Sequence, residues 1–462
     1  MQHSKISKGL TLHSLLLAGV FIACSDPAGD DDSGTGGNAA ATGGTSSGSG
    51  GEPATGGSSA GTGGLPETGG ASATGGAPTT GGSGGTPTTG GSGGTPSTGG
   101  SGGTPSSGGA PSTVDCASAP QDACPMASGL QHACVQRFAL GINYAWHYFA
   151  GDFGGISAWS QAGVSQNADA IDQELADMRQ NGVSVIRWWM FPDFRGDGVM
   201  FDGNGDPSGI SPTALADIDK ALELAAANDV HLVFTIFSFD NFRPDHSLEG
   251  LEVRGMSPMV SDASRRQALI ENVVRPVAAR AAASPHAGHL LGWDVINEPE
   301  WAVSPTGSAP SGADFDPNPE LEPVSLADMK ALIDESLVVL GEETPNALRS
   351  VGWAAAKWAW AFNDMANIDF HQPHIYGWVN DWWPYTDTPA ELGYGDKPTV
   401  MGEFYLASMP LSDSDNASFG EIVDVWYGSG YAGAWAWQYA DASQNIDLIK
   451  SFADAKGCSV SF

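Results

Sequence analysis

Short apolar runs alternate with amphipathic stretches between residues 137 and 456, and this alternation is the clearest pattern of the chain. Runs such as "VSVIRWWMF" and "HLVFTIFSF" are rich in β-branched and aromatic residues, which is typical of strands buried on both faces. Stretches such as "NADAIDQELADMRQNG" repeat apolar residues at helical spacing and end at a glycine. The pattern predicts eight strands, each followed by a helical segment, the sixth by a loop and a short helix near Pro389.

Eight βα units with nearly continuous apolar strands indicate the α/β class and a (β/α)8 TIM barrel. The alternative is a doubly wound open sheet. A dinucleotide-binding sheet of that kind would carry a glycine-rich phosphate loop after its first strand, and this sequence has none there. In a barrel, the carboxyl ends of the strands form the active-site face.

The chain divides by composition into three parts. Residues 1–23 have a basic start and a short apolar run before Cys24, which predicts a lipoprotein signal peptide with Cys24 as the lipidated residue. Residues 24–113 are rich in Gly, Ser, Thr and Pro and predict a disordered tether. Residues 114–462 form the predicted catalytic barrel. We expect an exported bacterial lipoprotein at the outer membrane or cell surface; ordinary secretion and a retained anchor helix are the alternatives.

Charge and cysteine content narrow the function further. The chain has 53 acidic and 19 basic residues, for a net charge of −34, which disfavours nucleic acid or an anionic polymer as a partner. A neutral substrate meets no such repulsion.

Four cysteines of the barrel domain predict two disulfides in an oxidising compartment, with three possible pairings, and a zinc site is the weaker alternative. They are Cys116, Cys124, Cys134 and Cys458.

Two glutamates follow buried strands and are the candidate catalytic pair. In "GWDVINEPEW", Pro299 ends the fourth predicted strand directly after Asn297 and Glu298. In "PTVMGEFY", Glu403 ends the seventh. These strands lie across a small barrel from each other, so the two carboxyl groups can converge at its mouth. Hydrolysis of a glycosidic bond requires such a pair.

With these motifs, the sequence resembles glycoside hydrolase family 5 and the clan A retaining β-glycosidases over residues 141–439. The resemblance implies that Glu298 is the acid/base and Glu403 the nucleophile. The strand-four motif is also similar to that of family 10 xylanases, but "MGEFY" fits family 5 better. Further supporting or sugar-binding residues that match the family's motifs are Arg187, His374, Tyr376 and Trp437, beside Asn297.

A double displacement requires specific roles of the two glutamates and of several residues around them. Glu298 must be protonated near neutral pH, and we expect an apolar setting and the charge of Glu403 to raise its pKa. Arg187 and Tyr376 can hold Glu403 ionised, and Asn297 can bind the sugar 2-hydroxyl. The reaction needs no cofactor and no metal, and we expect a monomer.

The predicted substrate is a neutral β-1,4-linked polysaccharide that stacks on loop aromatics, among them Trp301 and Trp378. The third strand ends in "TIFSFDNFRPDH", without the histidine of many family 5 cellulases, which favours an endo-β-1,4-mannanase over an endo-β-1,4-glucanase. An exo-β-glycosidase and a non-catalytic carbohydrate-binding protein are further alternatives. The loop Asp202–Asp206 faintly resembles a calcium site, but we interpret it as a turn.

Overall fold

The computed structural model describes residues 128–380, 383–409, 417–442 and 445–462, together with Cys116, Asp122, Cys124 and Met126. The predicted signal peptide, Cys24 and the predicted tether lie outside the described residues. No helix within the described ranges is long and apolar enough to cross a bilayer.

Eight parallel strands form a barrel, as the sequence predicted. Their order in the sheet follows the chain, and the first strand pairs with the eighth. Hydrogen bonds between residues 371–375 and 398–403 join the sixth strand to the seventh and close the ring. The strands are β1 (Ala139–Asn143), β2 (Val185–Trp189), β3 (His231–Ser238), β4 (Leu290–Asn297), β5 (Leu348–Trp353), β6 (Gln372–Pro373), β7 (Val400–Met401) and β8 (Gly433–Ala436).

Helices follow the strands and pack around the barrel. Ser211 caps one of them, as its position before Pro212 predicted, by accepting a hydrogen bond from the backbone N–H of Ala214. In strand order they are Ala168–Gln180, Pro212–Ala227, Ala263–Leu269 with Arg275–Ala283, Leu326–Glu343, Ala359–Phe362, Gly377–Asn380, Phe419–Gly428 and Asp447–Lys456. Shorter helices are Ser257–Ser261 and Tyr439–Ala442.

Two helix predictions differ from the structure. The helix predicted near Pro389 is wrong: residues 383–398 form turns, because prolines and glycines interrupt this segment. The single long helix predicted after β3 contains a π-helical turn at Ile270–Val274, next to Pro276. Proline has no N–H to donate, so the regular α-helical bonding cannot continue through it.

The interior of the barrel is filled by large apolar side chains. Trp435 of β8 is fully buried, and its Nε1 donates to the carbonyl of Ala139. A Cβ at Gly141 would lie 2.5 Å from Cδ1 of Trp435, so β1 needs a glycine opposite this ring. The barrel is therefore a packed core below the active-site face.

The amino end of the barrel is closed by an antiparallel hairpin, Leu130–His132 with Val135–Arg137, and by the last residues of the chain. The backbone N–H of Phe138 donates to the carbonyl of Ser459. The two predicted disulfides are present, and they pair Cys116 with Cys134 and Cys124 with Cys458. The second bond joins cysteines 334 positions apart, so it links the beginning of the domain to its end.

Three further hairpins extend from the barrel within the described ranges. They are Val199–Phe201 with Pro207–Ile210, His246–Leu248 with Leu251–Val253, and Ser408–Met409 with Ala417–Ser418.

Candidate active site

Glu298 lies directly after β4, where the strand meets a short 3₁₀ helix, Pro299–Ala302. Its backbone is left-handed, with φ 48° and ψ 53°, which is unfavourable for a residue with a side chain. A hydrogen bond of 2.7 Å from its N–H to the carbonyl of Gly352 holds this conformation. The turn places a carboxyl group that is only 2% exposed at the end of a buried strand.

Glu403 lies two residues after β7 and is equally buried. Its backbone pairs with His374 in a parallel bridge, which brings the end of β7 beside the end of β6. Ligand-type atoms of Glu298, His374 and Glu403 all lie within 4.8 Å of one another. The structure therefore brings the two predicted carboxyl groups together, with an oxygen of each within 4.8 Å of the other, which is shorter than the ~6.5–9.5 Å typical of inverting glycosidases.

Arg187, in the middle of β2, is fully buried and has all five of its N–H groups matched by hydrogen bonds. Nη1 donates to Glu403 Oε1 at 2.7 Å, and Nε and Nη2 both donate to Asp294 Oδ2. The remaining two donors bind the side-chain oxygens of Asn143 and Asn297. The guanidinium is thereby fixed between β1, β4 and β7.

Burial and the oppositely charged neighbours shift the pKa values of Glu403 and Arg187 in opposite directions. Burial raises the pKa of Glu403, the charge of Glu298 raises it further, and the charge of Arg187 and a hydrogen bond from Tyr376 oppose the rise. Burial alone would lower the pKa of Arg187, but Asp294 and Glu403 raise it above its ordinary value. Arg187 is thus permanently charged and stabilises Glu403 as a carboxylate.

His374 links the two glutamates and is neutral at pH 7. Burial lowers its pKa from 6.5 to about 4, and Arg187 contributes to the lowering. Its Nδ1 lies 2.8 Å from Glu298 Oε1 and 3.6 Å from Glu403 Oε2. Its Nε2 is buried and has no hydrogen-bond partner among the residues that the structure describes. Neutral imidazole can either donate or accept at Nδ1, so His374 can face Glu298 in both of its protonation states.

Tyr376 and Asn297 complete the polar part of the site. The Tyr376 hydroxyl donates to Glu403 Oε2 at 2.8 Å, so both oxygens of this carboxylate have a donor. Asn297 accepts from Arg187 through Oδ1, which fixes the orientation of its amide. Its Nδ2 donates to no group in the described part of the chain, and it is free to bind a substrate hydroxyl.

Aromatic rings form one wall of the site. Trp437, just after β8, is half-buried, and its ring centroid lies 5.5 Å from that of Trp189 and 6.1 Å from that of Trp146. Trp301 donates from Nε1 to Glu298 Oε2 at 2.8 Å. Such flat apolar faces beside polar groups are suited to sugar rings. The side chain of Trp378 lies outside the described residues.

Other candidates from the sequence lie outside the carboxylate network. Trp188, beside Arg187 in β2, is a fully buried core residue whose Nε1 donates to Asp152 and is not a groove aromatic. At the end of β3, Asn241 accepts from the backbone N–H of Ser238 and forms a helix cap, and His246 lies in a hairpin. Neither residue takes the place of the missing cellulase-like histidine.

Within the described residues, one group of side chains has the ligand atoms for a metal ion. Glu298, His374 and Glu403 have suitable ligand atoms, but hydrogen bonds from Arg187 and Tyr376 already occupy both oxygens of Glu403. In the loop Asp202–Asp206, Asp202 accepts from the backbone of its own turn and Asp206 pairs with Arg265. These carboxylates stabilise a turn, as we interpreted them.

Two residues of the network were missed by the sequence analysis. Asp294 is fully buried within β4 and accepts hydrogen bonds from Arg187, Thr235 and Gln372 on the neighbouring strands. A carboxylate inside an apolar run needs a buried cation, and that signal was available in "GWDVINEP". Asn143 at the end of β1 is the other; its Nδ2 donates to the carbonyl of Gly402, beside Glu403.

Comparison with known proteins supports the resemblance. The chain is 25% identical over 342 residues to a mannan endo-1,4-beta-mannosidase of Mytilus edulis, which covers 67% of this chain and 86% of the relative. The chain resembles endo-β-1,4-mannanases. A second such enzyme, from Cryptopygus antarcticus, is 22% identical over 342 residues, covering 68% of this chain and 83% of the relative.

The fold comparison agrees. The crystal structure of the Mytilus edulis β-mannanase matches with a TM-score of 0.58 and 21% identity, over 74% of this chain and 99% of that one. No family model matches the sequence. The predicted resemblance to the mannanases is thus confirmed by relatives in sequence and by shared fold.

Proposed function

We propose that this protein is a retaining endo-β-1,4-mannanase that works by double displacement, with Glu403 as nucleophile and Glu298 as acid/base. The observation that carries the proposal is the pair of buried carboxyl groups at the ends of β4 and β7, with ligand atoms within 4.8 Å. An inverting enzyme would need about 6.5–9.5 Å between them to admit a water molecule. The separation therefore favours retention.

In the first step, a Glu403 oxygen attacks the anomeric carbon of the sugar while the glycosidic C–O bond breaks. Glu298 gives its proton to the leaving oxygen, so the departing chain leaves as an alcohol. Arg187 and Tyr376 keep Glu403 ionised and fix its rotamer through bonds of 2.7 and 2.8 Å. Trp437 offers a flat surface on which the sugar ring can rest.

In the second step, Glu298 is a carboxylate and takes a proton from water. The water oxygen bonds to the anomeric carbon, the ester bond to Glu403 breaks, and the sugar leaves with its original configuration. Neutral His374, 2.8 Å from Glu298 Oε1, can adjust its tautomer to the changing charge of that carboxyl group. Within the described residues Asn297 Nδ2 donates to no protein group, which supports a bond to the sugar 2-hydroxyl.

Mannan is the proposed substrate because the relatives in sequence and fold are named as mannanases. A neutral polymer also suits a chain with a net charge of −34. Endo-β-1,4-glucanase activity is the second candidate, since the residues at the strand ends serve either sugar.

Incubation with mannan, carboxymethylcellulose and xylan tests the proposal. We expect new reducing ends from mannan first, as oligosaccharides rather than single sugars. Glu298→Gln and Glu403→Gln should each abolish this activity. Glu320→Gln, at an exposed ion pair, is the matched control and should keep it. Binding without cleavage would instead indicate a carbohydrate-binding protein.

We also propose that the protein is exported and anchored through a lipid on Cys24, with residues 24–113 as the tether. The basic and apolar composition of residues 1–23 and the small residue before Cys24 support this. Mass spectrometry of the amino-terminal peptide should show a diacylated Cys24. A Cys24→Ser variant should lose the lipid and leave the membrane fraction.

A further inference from the structure

Trp301 stands in an unusual relationship to the acid/base, because it follows Glu298 by only three residues and donates to it from the side chain. Its Nε1 lies 2.8 Å from Glu298 Oε2, and its ring is half-buried. The 3₁₀ helix Pro299–Ala302 allows this short return of the side chain toward the residue that precedes the helix. Trp301 therefore bonds one oxygen of Glu298, and His374 faces the other.

The ring of Trp301 is held in place by Trp358, which follows β5, and by the loop that comes after Trp301 itself. Trp358 packs edge-on against it, with centroids 5.2 Å apart. The Trp358 ring in turn lies parallel to Phe315, and its Nε1 donates to the carbonyl of Asp314 at 3.3 Å. The carbonyl of Trp301 accepts from the backbone N–H of Asn318 at 2.9 Å. The indole N–H is thus aimed at Glu298 by packing as well as by chain geometry.

Trp301 and His374 differ in whether their nitrogen atoms can donate or accept a hydrogen bond. Neutral His374 can donate or accept at Nδ1, so it fits either protonation state of Glu298. An indole N–H can only donate. A donor to a carboxylate favours the charged form over the neutral one. The hydrogen bond from Trp301 therefore stabilises only the carboxylate form of Glu298, which is the form that accepts a proton.

We propose that Trp301 is a positioning residue for Glu298, which fixes the carboxyl group and favours the base form needed in the second step. This inference rests on the proposed function and extends it. A platform for a sugar ring would require only the aromatic face of Trp301. The proposed role requires its N–H, which a phenylalanine lacks.

The test compares Trp301→Phe with the wild-type enzyme in the pH dependence of kcat/KM on mannan. Loss of the donor should move the alkaline limb of the profile to higher pH by about one unit. Trp360→Phe is the matched control: it removes an indole N–H that donates to the carbonyl of Ala313 rather than to Glu298, and it should leave the limb unchanged. Trp301→Leu should show the same shift as Trp301→Phe, although its thermal unfolding temperature should be lower.

A second measurement uses an aryl β-mannobioside with a good leaving group, for which departure needs little acid and the second step limits turnover. Trp301→Phe should lower kcat by about tenfold, because a carboxylate that is no longer fixed in position takes the proton of water less efficiently; KM should fall in parallel as the glycosyl intermediate accumulates. An unchanged alkaline limb, or a fall in kcat with no fall in KM, would overturn the inference and leave the proposed function intact. A wild-type enzyme that releases no sugar from mannan would overturn both.

Discussion

Arg187 donates to Glu403 at 2.7 Å although neither side chain is more than 2% exposed. The same guanidinium lies 2.6 Å from Asp294, whose side chain is fully buried. A buried cation between two carboxylates is stable only while its partners remain, because each charge has lost its water. This relationship connects the stability of the barrel to the ionisation of the proposed nucleophile.

Arg187→Met should therefore affect both properties. We expect kcat/KM on mannan to fall at least about 100-fold, because Glu403 loses the charge that keeps it ionised. The free energy of unfolding should fall by about 3–5 kcal/mol, as measured by denaturant titration. Arg187→Lys should be nearly as harmful, since one ammonium group cannot match five hydrogen bonds.

The control is Arg254→Met, which breaks an exposed pair with Asp245 and should cost about 0–1 kcal/mol. Equal losses of stability in the two variants would contradict our account of the buried network.

Gly352 lies under the same network and tests how tightly it is packed. A Cβ there would lie 2.7 Å from Arg187 Nη2 and 3.1 Å from His374 Nε2. Gly352→Ala should lower stability by about 1–3 kcal/mol and lower kcat by more than about tenfold, because both side chains must shift. Gly420→Ala, where a Cβ meets no atom within 4 Å, should leave kcat unchanged. Wild-type kcat in Gly352→Ala would show that the site tolerates displacement of these groups.

We expect the protein to lose stability in acid because of three histidines at the amino end of the barrel. The ring of His231 packs against those of His132 and His289, with centroids 5.2 and 5.1 Å apart. Burial and these neighbours lower the pKa of His231 from 6.5 to about 3, and burial also lowers that of His132.

Between these pH values the unfolded chain binds more protons than the folded one, so stability falls as the pH drops below about 6.5. At pH 5 His231 should lower the free energy of unfolding by about 2 kcal/mol relative to its value at neutral pH. Thermal unfolding from pH 7 to pH 4 should show a shallower fall for His231→Phe than for the wild type. Parallel curves would remove this histidine from the explanation.

The two disulfides should differ in their contribution to stability. Cys124–Cys458 spans 334 positions and Cys116–Cys134 spans 18, so the first removes more freedom from the unfolded chain. Replacing both cysteines of the long-range bond by serine should cost about 2 kcal/mol more than replacing those of the short-range one. Chemical denaturation of the two double variants measures the difference. A larger cost for the short-range bond would contradict the entropic explanation.

The sequence predicted the barrel and the carboxylate pair for a common physical reason. Buried strands are apolar, so a charged residue in such a strand or just after it stands out, as Arg187, Glu298 and Glu403 do. Asp294 escaped notice because its role depends on Arg187, which is 107 positions away.

Contacts between segments that are distant along the chain could likewise not be predicted from the sequence. The histidine cluster at the amino end of the barrel joins residues from three separate elements, and no local pattern connects them. The bond from Trp301 to Glu298 depends on a left-handed backbone at Glu298, which the Asn-Glu-Pro motif did not predict. The segment around Pro389 forms turns because local glycines and prolines outweigh the helix expected from the repeating pattern.

The central claim is that Glu403 forms a covalent bond to the sugar. Incubation with 2-deoxy-2-fluoro-β-mannobiosyl fluoride, followed by proteolysis and mass spectrometry, tests it most directly. We predict one added fluoromannobiosyl group per protein, carried by the peptide that contains Glu403, and none in Glu403→Gln. A label on Glu298, or full turnover of mannan without any label, would contradict the account.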